Sequence, residues 1–91
     1  MKKRIHVYYS GMVQGVGFRF TAERTAISLG LQGWVKNTFD GKVEAACEGE
    51  EAKLVDFLSK IKNGSMKHYI TGADVTWHEA TGEFSGFSVR F

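Results

Sequence analysis

Two hydrophobic periodicities alternate along the chain, and the order of that alternation is compatible with few folds. Residues 5–10 read IHVYYS, a run of β-branched and aromatic side chains that is typical of a strand. From residue 19 to residue 29 the pattern becomes that of a helix, and Gly30 follows where a helix end favours a left-handed residue. The apolar face of this predicted helix comprises Phe18, Ala22, Ala26 and Leu29.

The remainder of the chain continues the alternation after a hairpin. Asp40-Gly41 is a turn signal, and it connects a predicted strand at residues 33–38 to a third strand. Residues 50–62 predict the second helix, which Asn63-Gly64 ends. We expect a loop at 65–72 and strands at 73–79 and 87–91; the apolar positions are Val43, Ala45 and Cys47 on the third strand and Leu54, Leu58 and Ile61 on the helix.

The order β-α-β-β-α-β, with a short extra strand at the C-terminal end, predicts an α+β fold of the ferredoxin-like, split-βαβ type. In this arrangement two helices cover one face of a mainly antiparallel sheet. Because no linker, repeat or low-complexity segment interrupts the 91 residues, we expect residues 1–91 to form a single domain. Many functions occur on this fold, so the topology alone does not identify one.

The connection between the first strand and the first helix is rich in glycine. It reads GMVQGVGFRF at residues 11–20. Glycines permit successive backbone N–H groups to point inward at a helix start, where the helix dipole is positive. Arg19 adds a planar set of donors that suits two oxygens of one phosphate. From pattern alone the segment is either a phosphate-binding loop or a tight turn, since it matches neither the dinucleotide-binding fingerprint nor a P-loop.

Three segments together resemble the acylphosphatase family. GMVQGVGFR resembles the active-site loop of that family, GWVKNTFDGKVEAACEGE resembles its second block, and FSGFSVRF resembles its C-terminal strand. The segments occur in the same order as in the family and span nearly the whole chain. The resemblance implies an enzyme that hydrolyses the carboxyl–phosphate bond of a small-molecule acyl phosphate, giving a carboxylate and inorganic phosphate.

The resemblance also implies the site residues. Asn37 corresponds to the asparagine that positions the attacking water in the family; without the resemblance it reads as a turn residue before Asp40-Gly41. The chain differs from the family in having no proline near GSMKHY, and Gly17 lies at a loop position that varies. The residues implied to bind the phosphoryl group are Gln14, Gly15, Val16, Gly17, Phe18 and Arg19, with Arg19 and Asn37 catalytic.

This chemistry needs few groups. The leaving carboxylate departs without prior protonation, because carboxyl groups titrate near pH 4, roughly. Holding a charged phosphoryl group and orienting one water are the tasks that remain. The histidines His6, His68 and His78 show no metal-ligand spacing with each other or with Cys47. We therefore expect no metal and no cofactor, with phosphate and sulfate as competing anions.

Two other functions remain open at this point. One is a catalytically silent phosphate-binding or regulatory domain, although the presence of both Arg19 and Asn37 disfavours it. The other is an RNA-binding module, since GVGFRF faintly resembles the aromatic signature of the RNA-recognition motif. In that module the signature lies on the third strand, whereas here it enters the first helix. A net charge of only +2 also argues against a nucleic-acid partner.

Composition indicates the cellular compartment that we expect for the protein. The sequence contains no apolar run of the roughly 18 residues that a membrane helix needs, so we expect no membrane partner. With a single cysteine, Cys47, an internal disulfide is impossible, and a reducing compartment fits. We expect a cytoplasmic monomer, with Cys47 as a small core residue.

Overall fold

The computed structural model of the protein describes residues 1–91, and its elements follow the predicted order. Every predicted strand and helix is present, with ends that differ from the predictions by up to three residues. Neither helix is long and apolar enough to cross a membrane. The elements are β1 (Lys2–Gly11), α1 (Phe18–Ser28), β2 (Gln32–Asn37), β3 (Val43–Glu50), α2 (Glu51–Asn63), a short 3-10 helix (Lys67–Tyr69), β4 (Ile70–Glu79) and β5 (Phe87–Arg90).

The five strands form one mixed sheet in the order β4-β1-β3-β2-β5. β3 lies in the middle and is antiparallel to both β1 and β2. β4 pairs with the other side of β1 and is antiparallel to it. β5 is parallel to β2, with Val35 opposite Val89. Two helices against this mainly antiparallel sheet confirm the predicted ferredoxin-like α+β fold.

The core lies between the helices and one face of the sheet. Alternate residues of β1 point to opposite faces, so Ile5, Val7 and Tyr9 are buried while their neighbours are half-buried. On α2 the buried residues are spaced three and four apart, and Phe57 is buried where the periodicity placed Leu58, which is half-buried. The remaining buried apolar side chains from helices and strands include Phe18, Ala22, Ala26, Val35, Val43, Ala45, Cys47, Leu54 and Ile61.

The end of α1 follows its prediction. Gly30 has a φ of +72°, so it adopts the left-handed conformation expected after a helix. Its N–H donates to the carbonyl of Ile27 at 3.0 Å, and the N–H of Leu31 donates to that of Ala26 at 2.9 Å. This pair of bonds is a Schellman motif, which satisfies two carbonyls at the helix end and turns the chain into β2.

The prediction of a loop over residues 65–72 is wrong in its second half. A 3-10 helix occupies 67–69, and β4 already begins at Ile70, which pairs with Gly11. Strand pairing extends β4 toward the N-terminus because Ser10 pairs with Gly72, and the register shifts between Ser10 and Gly11. The N–H of Met12 then donates to the carbonyl of Tyr69 at 2.9 Å. A partner strand, rather than local propensity, therefore sets this boundary.

The segment that connects β4 to β5 passes over the face of the sheet opposite the helices. Glu48 binds this segment through hydrogen bonds. Glu48 is buried, and its carboxylate accepts hydrogen bonds from the N–H and the hydroxyl of Thr81 at 2.9 and 2.7 Å and from the N–H of Gly82 at 2.9 Å. Arg4 pairs with the same carboxylate at 3.4 Å. These contacts direct the chain toward β5 at the far edge of the sheet.

Candidate active site

Two glycines in the left-handed region shape the connection between β1 and α1. Gly15 has a φ of +77°, and Gly17, the N-cap residue of α1, has a φ of +81°. A Cβ atom added at either position would meet no atom within 4 Å. Backbone conformation, and not lack of space, therefore favours glycine at both positions. Gly17, one of the residues implied to bind the phosphoryl group, thereby allows the chain to enter α1.

The backbone N–H groups in the second half of this connection have no acceptors within the chain. Those of residues 14–17 donate no hydrogen bond. Those of Phe18 and Arg19 lie in the first turn of α1, where N–H groups have no intrahelical acceptor. The first turn also contains no acidic residue. Consecutive free N–H groups at the positive end of a helix are an arrangement that binds anions.

Gln14 joins the connection to the β2–β3 hairpin. Its side-chain amide donates to the carbonyls of Thr38 and Lys42 at 2.8 and 2.9 Å. Both donors of the amide are thereby used, which leaves the backbone N–H of Gln14 as the group available to a ligand. The predicted binding residue therefore contributes a side chain that fixes the loop and a main-chain donor without an acceptor in the chain.

Val16 and Phe18 also contribute packing through their side chains. Phe18 is buried, and its ring centre lies 5.0 Å from that of Tyr9 in β1. Val16 is partly buried against the same core. These contacts fix the backbone of the loop on the sheet. Because both side chains are apolar, only the backbone N–H groups of the two residues can bind an anion.

The last residue of β5 and the residue after it hold the side chain of Arg19. Nη1 of Arg19 donates to the carbonyl of Arg90 at 3.2 Å, and its guanidinium carbon lies 4.7 Å from the ring centre of Phe91. One hydrogen bond leaves most of the five guanidinium donors available. The sequence identified Arg19 but not these two partners, because a backbone carbonyl and an exposed terminal ring have no distinctive pattern.

Asn37 is the last residue of β2, and it faces the same side of the sheet as Val35, toward the helices. Its Oδ1 atom is buried and has no hydrogen-bond partner. The next turn is fixed by Thr38, whose hydroxyl donates to Asp40 and accepts from the N–H of Lys42 at 3.0 Å. That hydroxyl lowers the pKa of the exposed Asp40 carboxyl. Asn37 therefore presents an unsatisfied acceptor at the end of a rigid strand.

A cavity of about 200 Å³ brings most of these residues together. Arg19 and Asn37, which are separated along the chain, both line it. Arg19 is its only charged side chain, and no histidine or carboxylate lines it. The site can therefore attract an anion but contains no side chain suited to general acid–base chemistry. The full lining is Val13, Gly15, Gly17, Phe18, Arg19, Phe20 and Asn37.

The sequence did not predict Phe20 as a lining residue. Phe20 follows Arg19 directly and is about half exposed, which is unusual for a large aromatic side chain on a helix. The signal in the sequence was an aromatic residue directly after the predicted arginine.

Comparison with known proteins assigns the chain to a family. A family model described as Acylphosphatase matches residues 5–89. The chain belongs to the acylphosphatase family. Two similar relatives are the acylphosphatases of Roseiflexus sp. (strain RS-1) and Methylococcus capsulatus (strain ATCC 33009 / NCIMB 11132 / Bath). The first is 43% identical over 86 residues, covering 94% of this chain and 92% of the relative; the second is 44% identical over 87 residues, covering 96% and 95%.

A solved structure of the same family has the same fold. The crystal structure of acylphosphatase from Bacillus subtilis matches with a TM-score of 0.91 and 37% identity, covering 98% of this chain and 99% of that one. The family resemblance inferred from the sequence is thus confirmed.

Proposed function

We propose that this acylphosphatase hydrolyses the carboxyl–phosphate bond of a small-molecule acyl phosphate in the cavity between Arg19 and Asn37. The observation that supports this site is that Arg19 and Asn37 line one small cavity together with Gly15, Gly17 and Phe18, at the end of the loop whose backbone N–H groups have no acceptors within the chain. Family membership supports the activity, and the geometry supports the roles given to individual residues below.

The phosphoryl group binds at the N-terminus of α1. Backbone N–H groups of residues 14–19 donate to its oxygens, as do the free donors of Arg19. The contacts of the guanidinium with Arg90 and Phe91 orient it. Because these donors are fixed before the substrate arrives, they can stabilise charge on the phosphoryl oxygens in the transition state without first reorganising.

Asn37 orients the attacking water. Its side-chain amide, which is part of the lining of the cavity, hydrogen-bonds that water and aims a lone pair of the water oxygen at phosphorus. The new P–O bond forms as the bond from phosphorus to the acyl oxygen breaks, and the electron pair of the broken bond leaves with the carboxylate. The water proton passes to a phosphoryl oxygen, because the cavity has no side-chain base.

The lack of a general acid determines the class of substrate. A carboxylate is a stable leaving group at neutral pH, with a conjugate acid of pKa about 4, whereas an alkoxide requires protonation. We expect turnover of acyl phosphates and not of alkyl phosphate monoesters.

The experiment compares the two substrate classes directly. Purified protein is incubated with a chromogenic acyl phosphate and with an alkyl phosphate monoester, each with and without excess chelator. The proposal predicts turnover of the acyl phosphate alone, unaffected by chelation. Comparable rates on both substrates would reveal an overlooked acid, and loss of rate on chelation that magnesium restores would indicate a metal. Phosphate binding without any turnover would favour a silent binding domain.

Several broader expectations belong to the same proposal. Inorganic phosphate and sulfate should compete with substrate, because each presents tetrahedral anionic oxygens to the same donors. We also propose that residues 1–91 act as one domain, that the protein is a cytoplasmic monomer, and that no cofactor takes part. Competition kinetics, sedimentation and fractionation of the source cells test these points separately.

A further inference from the structure

We propose that the groove between α2 and β4 binds a monocarboxylate that has an apolar body. The groove has a volume of about 470 Å³ and lies on the helix side of the sheet. It shares no lining residue with the cavity at Arg19 and Asn37. The inference therefore concerns a second site, separate from the one at which hydrolysis takes place.

Apolar side chains form the walls of the groove. Leu58 of α2 stands on one side, and Ile70 and Val75 of β4 stand on the other. All three are half-buried, so each still exposes apolar surface that a ligand could cover. Burial of that surface is favourable at about 25 cal/mol per Å², which selects for a ligand with an apolar body.

Tyr9 supplies an unused hydrogen-bond donor among the lining residues. It is only 2% exposed, and its hydroxyl is buried without any partner. Most buried polar side-chain atoms are hydrogen-bonded, so an unpaired hydroxyl on a residue that lines a cavity indicates a donor for a ligand that displaces the ring slightly. The hydroxyl is protonated at neutral pH, as in any tyrosine, and burial raises the pKa of Tyr9 further.

Two cations complete the chemistry of the groove. Lys62 lies in the last turn of α2 and Lys67 in the 3-10 helix, and both line the groove. No acidic side chain lines it. A carboxylate matches two ammonium groups and a hydroxyl donor, and its hydrocarbon part matches the apolar walls. Inorganic phosphate would match the charges but would leave the walls uncovered.

The probe for this site is sodium octanoate, with 1-octanol as its uncharged counterpart of equal chain length. Chemical shifts of uniformly ¹⁵N-labelled full-length protein are followed as each compound is added. We expect octanoate to move the amide signals of Leu58, Ile70 and Val75 with a saturable profile, and 1-octanol to bind at least about tenfold more weakly. Shifts confined to residues 14–19 would overturn the proposal, as would equal affinity for the two compounds.

Variants separate the proposed contacts from general effects. Tyr9→Phe removes only the unpaired hydroxyl, so it should fold normally and bind octanoate about tenfold more weakly. Lys62→Ala should show a similar loss, whereas Lys60→Ala, an exposed lysine on the same helix outside the groove, should not. Unchanged affinity in both Tyr9→Phe and Lys62→Ala would exclude the site. Arg19→Ala should leave octanoate binding intact, which distinguishes failure of this proposal from failure of the hydrolytic one.

Discussion

The guanidinium of Arg19 lies over the ring of Phe91, with 4.7 Å between the guanidinium carbon and the ring centre. The same side chain donates a hydrogen bond to the carbonyl of Arg90 at 3.2 Å. The last residue of β5 and Phe91, which follows it, therefore fix the orientation of the single charged side chain in the cavity. Without these contacts a flexible arginine would lose conformational entropy on binding a phosphoryl group.

Replacement of Phe91 by leucine tests that orientation. The change keeps an apolar side chain but removes the ring face, and cation–π contacts at exposed sites contribute about 0.5–1 kcal/mol. We expect kcat/KM for an acyl phosphate to fall about two- to fivefold, with little change in the thermal midpoint. Phe84→Leu is the matched control, since the Phe84 ring lies 4.9 Å from the guanidinium carbon of Arg4 at the other end of the sheet. An equal loss in both variants would remove the role assigned to Phe91.

Arg19 itself should be needed for both binding and turnover. Arg19→Ala removes the only charged side chain of the cavity, so phosphate affinity and activity should both be lost. Arg19→Lys should recover little, because an ammonium retains the charge but not the planar pair of donors. Initial rates and phosphate titration by calorimetry provide the measurements. Near-normal activity of Arg19→Lys would mean that charge alone is sufficient.

Asn37 should matter for the reaction and not for anion binding. We expect Asn37→Ala to lower kcat by about 10²–10³, the usual cost of losing one oriented polar group in an active site. Phosphate affinity should remain near that of the unchanged protein. Circular dichroism and thermal melting serve as controls for folding. A folded Asn37→Ala protein that keeps most of its kcat would return Asn37 to a purely structural role in the turn.

Gln14→Leu should show how much the shape of the loop matters for phosphate binding, because it leaves the proposed catalytic side chains unchanged. The substitution leaves the carbonyls of Thr38 and Lys42 without the amide donors they now have. Two neutral hydrogen bonds correspond to about 1–3 kcal/mol in the free energy of unfolding, which urea denaturation would measure. We also expect weaker phosphate binding, because the N–H groups of the loop lose their fixed direction. Full affinity in a destabilised variant would contradict the second expectation.

The helices and the hairpin of this fold were predictable from local sequence. Phe18, Ala22 and Ala26 recur at helical spacing, and Gly30 ends the helix in the conformation for which glycine is favoured. The start of β4 was not predictable, because Ile70 becomes a strand residue only through its pairing with Gly11.

The site was predictable only in part, for a related reason. Arg19 and Asn37 belong to separate elements, and their common cavity depends on the order of strands in the sheet. The pairing of the two was anticipated from the family resemblance and not from periodicity. The hydrogen bonds from Gln14 to the hairpin and from Arg19 to β5 join residues that are far apart in sequence. Their acceptors are backbone carbonyls, which no sequence pattern identifies.

Glu48 should give the protein a measurable sensitivity to acid. Burial raises the pKa of Glu48, but the donors of Thr81 and Gly82 and the charge of Arg4 outweigh it, so the pKa is below its usual value. A pKa that is lower in the folded state than in the unfolded state adds stability above the unfolded value, and that stability is lost as pH falls through the folded value. Glu48→Gln should therefore be less stable at pH 7 by about 1–3 kcal/mol and lose less stability on acidification.

Urea denaturation at several pH values checks this expectation. Asp56→Asn is the control, since Asp56 is exposed on α2 and forms no ion pair. The same acid dependence in Glu48→Gln and in the unchanged protein would show that the titration of Glu48 makes no contribution.

The two left-handed glycines of the loop have a consequence for any attempt to transplant it. A free peptide of residues 11–20 would contain every donor of the loop and its arginine, yet it would sample so many backbone conformations that its amides would seldom converge. In the protein the tether from Gln14 and the packing of Phe18 restrict that freedom before any anion arrives. The proposed anion affinity would thus be a property of the scaffold, and grafting these ten residues elsewhere would require carrying over the hairpin and the first strand as well.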